Sequence, residues 1–190
     1  MKAVLDACVL YPTVLREILA DCAAAGLYQP IWSQRILNEW RHAAERQGIP
    51  AGVEIALLTD RFPQAMVTPQ QVFALDLPDP ADLHVVEAAL AADALVIVTA
   101  NLRDFPARAL AQVGLRAIHP DEFLRDFHAL APETVLAAIV ATEKRALNAG
   151  GAITRKELMR RARLPRLAKA IERFDKAGVE PDGRSGKGRS

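Results

Sequence analysis

Four acidic side chains carry the chemistry this sequence can offer: Asp6, Glu39, Asp82 and Asp104. Asp6 closes the apolar run Lys2-Ala-Val-Leu5, and Glu39 lies in Ser33-Gln-Arg-Ile-Leu-Asn-Glu-Trp40. Asp82 opens a helix in Pro78-Asp-Pro-Ala-Asp-Leu-His84, and Asp104 follows the apolar segment 94–99 in Asn101-Leu-Arg-Asp-Phe105. Ligands of open α/β sheets bind beyond the carboxyl ends of the strands, and each acid can reach that edge. Two carboxylates about 4 Å apart repel by roughly 4 kcal/mol at an effective dielectric of 20. Several such pairs rival the whole stability of a domain, about 5–15 kcal/mol. A cluster of this kind must take up protons or bind a cation. No His or Cys is paired with it, and an all-oxygen donor set selects Mg²⁺ or Mn²⁺ over Zn²⁺. Such an ion serves the attack of water on a phosphodiester, which makes the chain a nuclease candidate. No Walker loop, GxSxG elbow or HExxH pair offers another chemistry.

Each acid also has an ordinary explanation. Asp79 is an N-cap, with Pro80 at the first helical position. Asp82 favours the positive end of the helix it opens. Glu39 alone reads as surface charge, and Asp104 as a cap for a helix after Pro106. Asp6 is harder to dismiss, because a carboxylate at the end of a buried strand is costly unless something compensates it. Arg103 shares the loop of Asp104 and is placed to contact a phosphate. His84, two residues after Asp82, reads as orienting its helix.

The elements that must position these residues follow from the apolar periods. Ala3–Leu5, Leu27–Ile31, Ala65–Thr68, Ala94–Thr99 and Leu115–Ile118 read as strands. Helices are predicted over Val14–Ala25, stopped by Gly26, and from a cap at Ser33 through Ile36, Leu37, Trp40 and Ala44. Further helices follow over Val53–Arg61 and Leu83–Ala92, and from His119 onward. Alternating strands and helices predict a parallel sheet covered on both faces. Beyond Ala131-Pro-Glu133 only helices are expected. One ends at Gly150-Gly151. The next starts at the capping box Thr154-Arg-Lys-Glu157, with Ile153 and Leu158 as a hydrophobic staple. A third follows Pro165. The predicted division is a body over 1–128, a basic helical extension over 129–177, and a tail over 178–190 whose Gly, Ser and charge predict disorder.

Composition narrows the class. With 190 residues, 51% of them hydrophobic, one domain plus an appendage is expected. No apolar run reaches the roughly 20 residues of a membrane span. No basic segment with an apolar signal core opens the chain, so the sequence predicts a cytoplasmic protein with no membrane partner. Cys8 and Cys22 form no zinc pattern and are expected to be reduced thiols, mostly buried. The net charge of +1 conceals an asymmetry. Residues 1–142 hold 10 Lys/Arg against 17 Asp/Glu, a net of −7, whereas residues 143–190 hold 14 against 6, a net of +8. An acidic body with a basic end suits a polyanion or an acidic partner.

The segments Val4-Leu-Asp6, Ile36-Leu-Asn-Glu39, Asp79-Pro-Ala-Asp82-Leu-His84, Thr99-Ala-Asn-Leu-Arg-Asp-Phe-Pro106 and His119-Pro-Asp-Glu-Phe-Leu124 resemble, in this order and spacing, the PIN-domain ribonucleases. These include the VapC-type toxins of bacterial toxin–antitoxin pairs. The resemblance covers roughly residues 1–124. It implies an α/β/α sandwich with a central parallel sheet, here followed by a C-terminal helical extension. It also implies a metal-dependent ribonuclease in which Asp6, Glu39, Asp82 and Asp104 are catalytic and hold Mg²⁺ or Mn²⁺. Thr99 and Asn101 would be auxiliary polar groups and Asp79 an outer acid. RNA would be the substrate, an antitoxin the protein partner, and a homodimer a possible assembly. One departure stands out. Many members follow the first Asp with Thr or Ser and then Asn or Ser, where this chain has Ala7 and Cys8; positioning of water or substrate is expected to weaken. The rival readings are a catalytically silent PIN scaffold and a receiver domain. A receiver needs adjacent acids after its first strand and a Lys after a late one, and neither is evident.

Overall fold

A computed structural model describes residues 1–69, 71, 75–151 and 153–178. Five strands form one sheet in the order β3-β2-β1-β4-β5, and every neighbouring pair is parallel. They are β1 (Lys2–Leu5), β2 (Gln29–Ser33), β3 (Met66–Val67), β4 (Val96–Val98) and β5 (Arg116–Ile118). The chain moves outward from β1 through β2 to β3, then returns to lay β4 on the other side of β1. The strand order therefore reverses between β1 and β4, and this reversal opens a crevice at their carboxyl ends. Leu5 is in register with Val98, so the next residues, Asp6 and Thr99, meet there.

The buried strands are short and apolar, as expected of a sheet covered on both faces. β2 lies two residues later than its predicted span. Pro30, which has no N–H to donate, pairs with Ala3 on one side, while pairing with β3 begins only at Trp32.

Helices α1 (Ala7–Leu10), α2 (Thr13–Ala24), α3 (Gln34–Glu45), α4 (Gly52–Arg61), α5 (Leu83–Ala91), α6 (Ala107–Ala111) and α7 (Pro120–Leu130) surround the sheet. Gly26 ends the α2 connection at φ 84°, a backbone that suits glycine. Ser33 caps α3 by accepting from the Ile36 N–H at 3.4 Å. The single turn α1 was not anticipated. It is held from outside by Arg16 of α2, which is 3% exposed. Arg16 donates to the Leu10 carbonyl at 2.6 Å and the Tyr11 carbonyl at 3.2 Å, pairs with Glu54, and lies 4.5 Å from the Trp40 ring centroid. Trp32 and Trp40 are core residues, 0% and 1% exposed.

The C-terminal helices α8 (Pro132–Asn148), α9 (Arg155–Arg161) and α10 (Pro165–Gly178) share this core. Val135 and Ile139 of α8, Leu158 and Met159 of α9, and Leu167 and Ile171 of α10 are all buried. Arg145 of α8 bridges to Glu17 at 2.7 Å and Asp21 at 2.5 Å on α2. Half of the predicted capping box is present, since Thr154 Oγ1 accepts from the Glu157 N–H at 3.2 Å. The Glu157 carboxylate turns instead to Arg160 and Arg161, at 2.7 and 2.8 Å. Of the predicted tail, residues 179–190 lie outside the described residues.

Candidate active site

The four sequence-selected acids come from four segments and line one cleft of about 570 Å³ at the carboxyl edge of the sheet. Asn101 lines it with them.

Asp6 is set by the sheet itself. Its backbone N–H donates to the Val98 carbonyl at 3.1 Å, and its side chain is only 8% exposed. Its Oδ2 accepts from the Thr99 hydroxyl at 2.7 Å and the Cys8 thiol at 3.0 Å. Thr99, fully buried, also accepts from the Asn101 N–H at 3.0 Å, which orders the loop after β4. Cys8 thus occupies the place of the expected polar residue. Burial, and then the charge of Asp6, push its thiol up to about 12, so at neutral pH it stays protonated and donates. The departure from the family pattern at this position therefore still leaves the Asp6 carboxylate a donor. Both cysteines are free; Cys22 is buried and Cys8 partly so.

Asp82 completes a single 3-10 turn, Pro80–Asp82, ahead of α5. Asp79 caps this turn, accepting from the Ala81 N–H at 2.8 Å, and is itself exposed outside the cleft. The Asp82 carboxyl is raised to about 6, first by burial and then by the charges of Asp104, Asp6, Asp79 and Glu39. Among the described residues no donor reaches its oxygens. Asp104 ends a second 3-10 turn, Leu102–Asp104; it does not cap α6, whose first turn has no side-chain cap. Arg103, one residue earlier, is exposed and does not line the cleft. Successive residues of a 3-10 turn point about 120° apart, so Arg103 and Asp104 leave the turn in different directions.

Glu39 of α3 is 40% exposed. Its Oε1 lies 2.8 Å from Nε2 of the buried His84 and 3.6 Å from Arg35 Nε. The His84 approach is off the line of a hydrogen bond. Among the described residues, no three His, Cys, Asp or Glu side chains stand close enough to close on one ion as they are. The donor set nonetheless suits a hard cation: four carboxylates face one cleft and raise one of their own number.

Three arginines also border the cleft: Arg46 just after α3, Arg161 at the end of α9 and Arg163 in the turn that follows it. The last two belong to the basic run Arg155, Lys156, Arg160, Arg161 and Arg163, whose charge the sequence shows and whose place beside the acids only the packing of the extension decides.

No described helix is long and apolar enough to cross a membrane. Comparison with known proteins agrees with the geometry. The chain is 46% identical over 59 residues to a protein of Mycobacterium tuberculosis (strain ATCC 25618 / H37Rv) described as "Putative ribonuclease VapC50". The aligned stretch is 31% of this chain and 35% of that protein, so the likeness spans about a third of the relative's length. No solved structure matches the chain. A family model of the PIN domain matches residues 2–103, more than half of the chain and up to the residue before Asp104. On that match, and on a parallel sheet whose switch point gathers the expected acids, the chain belongs to the PIN-domain family.

Proposed function

We propose that this chain is a metal-dependent endoribonuclease, the toxin half of a VapC-type pair, with Asp6, Glu39, Asp82 and Asp104 as its catalytic acids and Mg²⁺ or Mn²⁺ as its cofactor. The observation that carries the reading is the convergence of Asp6, Glu39, Asp82 and Asp104 on one cleft, where among the described residues no donor reaches Asp82. Such an arrangement is costly to the protein unless a cation neutralises it. The similarity to a protein described as a ribonuclease supports the substrate class.

The residues divide the work. Asp6 is fixed by Thr99 and Cys8 and offers its remaining lone pairs to the cleft. Asp82 and Asp104 present carboxylates on two short turns. Glu39 waits at the rim between His84 and Arg35. Asn101 offers an amide that can orient a phosphate or a water. A divalent cation held there would neutralise charge building on the phosphoryl oxygens and make water a stronger acid at neutral pH. In the reaction the water oxygen bonds to phosphorus, the bond to the 3′ oxygen breaks, and that oxygen takes up a proton. The products are a 5′-phosphate and a 3′-hydroxyl. Mapping the ends of cut RNA tests this; 2′,3′-cyclic ends, or cutting undiminished by EDTA, would overturn it.

One observation favours a second reading, a silent PIN scaffold that binds RNA or protein: the described acids do not close on a single point. RNA binding without cleavage, with Mg²⁺ or Mn²⁺ present, would select it. An antitoxin belongs to the first reading. Co-expression with the product of the neighbouring reading frame, followed by co-purification and loss of cleavage, is its test.

A further inference from the structure

An acidic cleft repels a polyanion, so a nuclease of this kind needs positive charge placed beside its acids. Arg103, the cation adjacent to Asp104 in sequence, is exposed and does not line the cleft. Of the cations that do line it, Arg161 is bound to Glu157 at 2.8 Å. Arg46 and Arg163 are both exposed, and among the described residues neither side chain makes a hydrogen bond or ion pair, but only Arg163 belongs to the extension and borders a second cavity as well.

Arg163 is also held unusually. It adopts φ 56° in the turn between α9 and α10, a conformation that arginine rarely takes. Its N–H donates to the Arg160 carbonyl at 3.1 Å, and the Leu164 N–H to the Met159 carbonyl at 3.0 Å. Its neighbours Ala162 and Leu164 are 2% and 0% exposed, so both flanks of the turn are anchored in the core. The position is therefore set by packing.

A second cavity, about 1110 Å³, runs between α7, α9 and α10, and Arg163 and His119 line both it and the acidic cleft. Several of its charges are already matched: Arg155 to Glu143 at 2.9 Å, Arg160 to Glu157 at 2.7 Å, and Asp121 to two backbone N–H groups at 2.9 Å. Lys156 of α9 and Lys169 of α10, which also line it, join Arg163 in having no described partner. Glu172 and Asp175 line the groove too, so the positive excess is local and not a general basic surface.

We propose that Arg163 binds a backbone phosphate of single-stranded RNA where the strand passes from the α7–α9–α10 groove into the acidic cleft. The helical extension would then supply part of the substrate site. The inference rests on the ribonuclease reading.

The test uses the full chain and a fluorescein-labelled single-stranded RNA of mixed sequence. Binding is measured by anisotropy across a KCl series in an Asp82→Asn background, which holds RNA uncut; cleavage is measured with Asp82 intact. Loss of one phosphate contact removes about 0.7 of a released counterion, a roughly fivefold loss of affinity near 0.1 M salt. Arg163→Ala should show that loss and a salt slope shallower by about 0.7, with KM raised and kcat nearly unchanged. Arg163→Gly, which suits a positive φ, should behave alike and keep the fold intact. Arg163→Lys should recover part of the affinity. Arg173→Ala, exposed on α10 and lining neither cavity, should leave the slope unchanged. If the intact chain cuts RNA while both Arg163 variants keep its affinity and slope, the inference is overturned and the nuclease reading stands. That result would leave the groove to a protein partner. If the intact chain neither cuts nor binds RNA, the nuclease reading fails and the inference falls with it.

Discussion

Asp121 and Asp82 are both acids at the start of a helix on the carboxyl edge of the sheet, and the fold treats them in opposite ways. Asp121 is 3% exposed, yet its two oxygens accept from the Arg166 and Leu167 N–H groups at 2.9 Å each. It caps α10 from a distant part of the chain and so ties the extension to the body. Asp82 is half-buried, receives no donor among the described residues, and has Asp104, Asp6, Asp79 and Glu39 as its charged neighbours. A buried charge compensated inside the fold is structural. One left uncompensated lowers stability and is best explained by something the chain binds.

Replacing each acid should shift stability in opposite directions, which is the sharpest way to break this comparison. Asp121→Ala leaves two helix-terminal N–H groups without an acceptor, a cost of about 2–4 kcal/mol. The melting temperature should fall by roughly 5–12 °C, while the rise caused by Mg²⁺ should survive in size. A melt within about 2 °C of the unmodified protein would show that Asp121 is not the anchor described.

Asp82→Asn should do the reverse. Without metal it should stabilise the protein by roughly 1–2 kcal/mol once solvent screening is allowed for, or about 2–6 °C. It should also abolish most of the stabilisation by Mg²⁺ or Mn²⁺ and suppress RNA cleavage. An equal metal-induced shift in both proteins would refute the site.

The same contrast has a pH signature. The Asp82 carboxyl is raised from 3.8 to about 6, so over that range the folded chain holds a proton that the unfolded chain has released. The stability contribution is fully present below 3.8 and is lost as pH rises through about 6. In metal-free buffer the gap in melting temperature between Asp82→Asn and the unmodified protein should therefore be absent near pH 4 and widen toward neutrality. A gap independent of pH would mean that another group is responsible.

The smallest effect is expected at Cys8. Its thiol is a weak donor that shares Asp6 with Thr99, so Cys8→Ala should cost about 0.5–1 kcal/mol and keep the metal response. Because burial holds the thiol up to about 12, it should also react with iodoacetamide far more slowly than a free thiol at pH 8. Rapid labelling of the folded protein would contradict that environment.

Much of the framework was legible because local rules decide it. Ser33, Asp79 and Thr154 cap where their positions require, and each accepts from a nearby N–H. The apolar runs became parallel strands, shortened at their ends. Other features were not legible because they depend on distant partners. The α1 turn leans on Arg16, six residues beyond Leu10. Cys8 serves Asp6 only because Thr99 arrives beside both. Arg103 shares the 3-10 turn of Asp104 but, unlike it, does not line the cleft, since adjacent side chains of such a turn leave in different directions.

The sequence by itself determined the order of elements, the parallel sheet and the placing of Asp6, Asp82 and Asp104 at strand and turn ends and of Glu39 within a helix, since caps, breakers and apolar periods act over a few residues. The tertiary structure alone decided that the acids share a cleft. That depends on β4 returning to the far side of β1 with Leu5 opposite Val98, a pairing across more than ninety residues. It also decided that Asp121 became an anchor and that Arg163 came to the rim of the acids. Both outcomes follow from packing α9 and α10 onto the body, where the burial of Ala162 and Leu164 fixes Arg163 between them and that of Leu167 and Ile171 holds the start of α10 against Asp121.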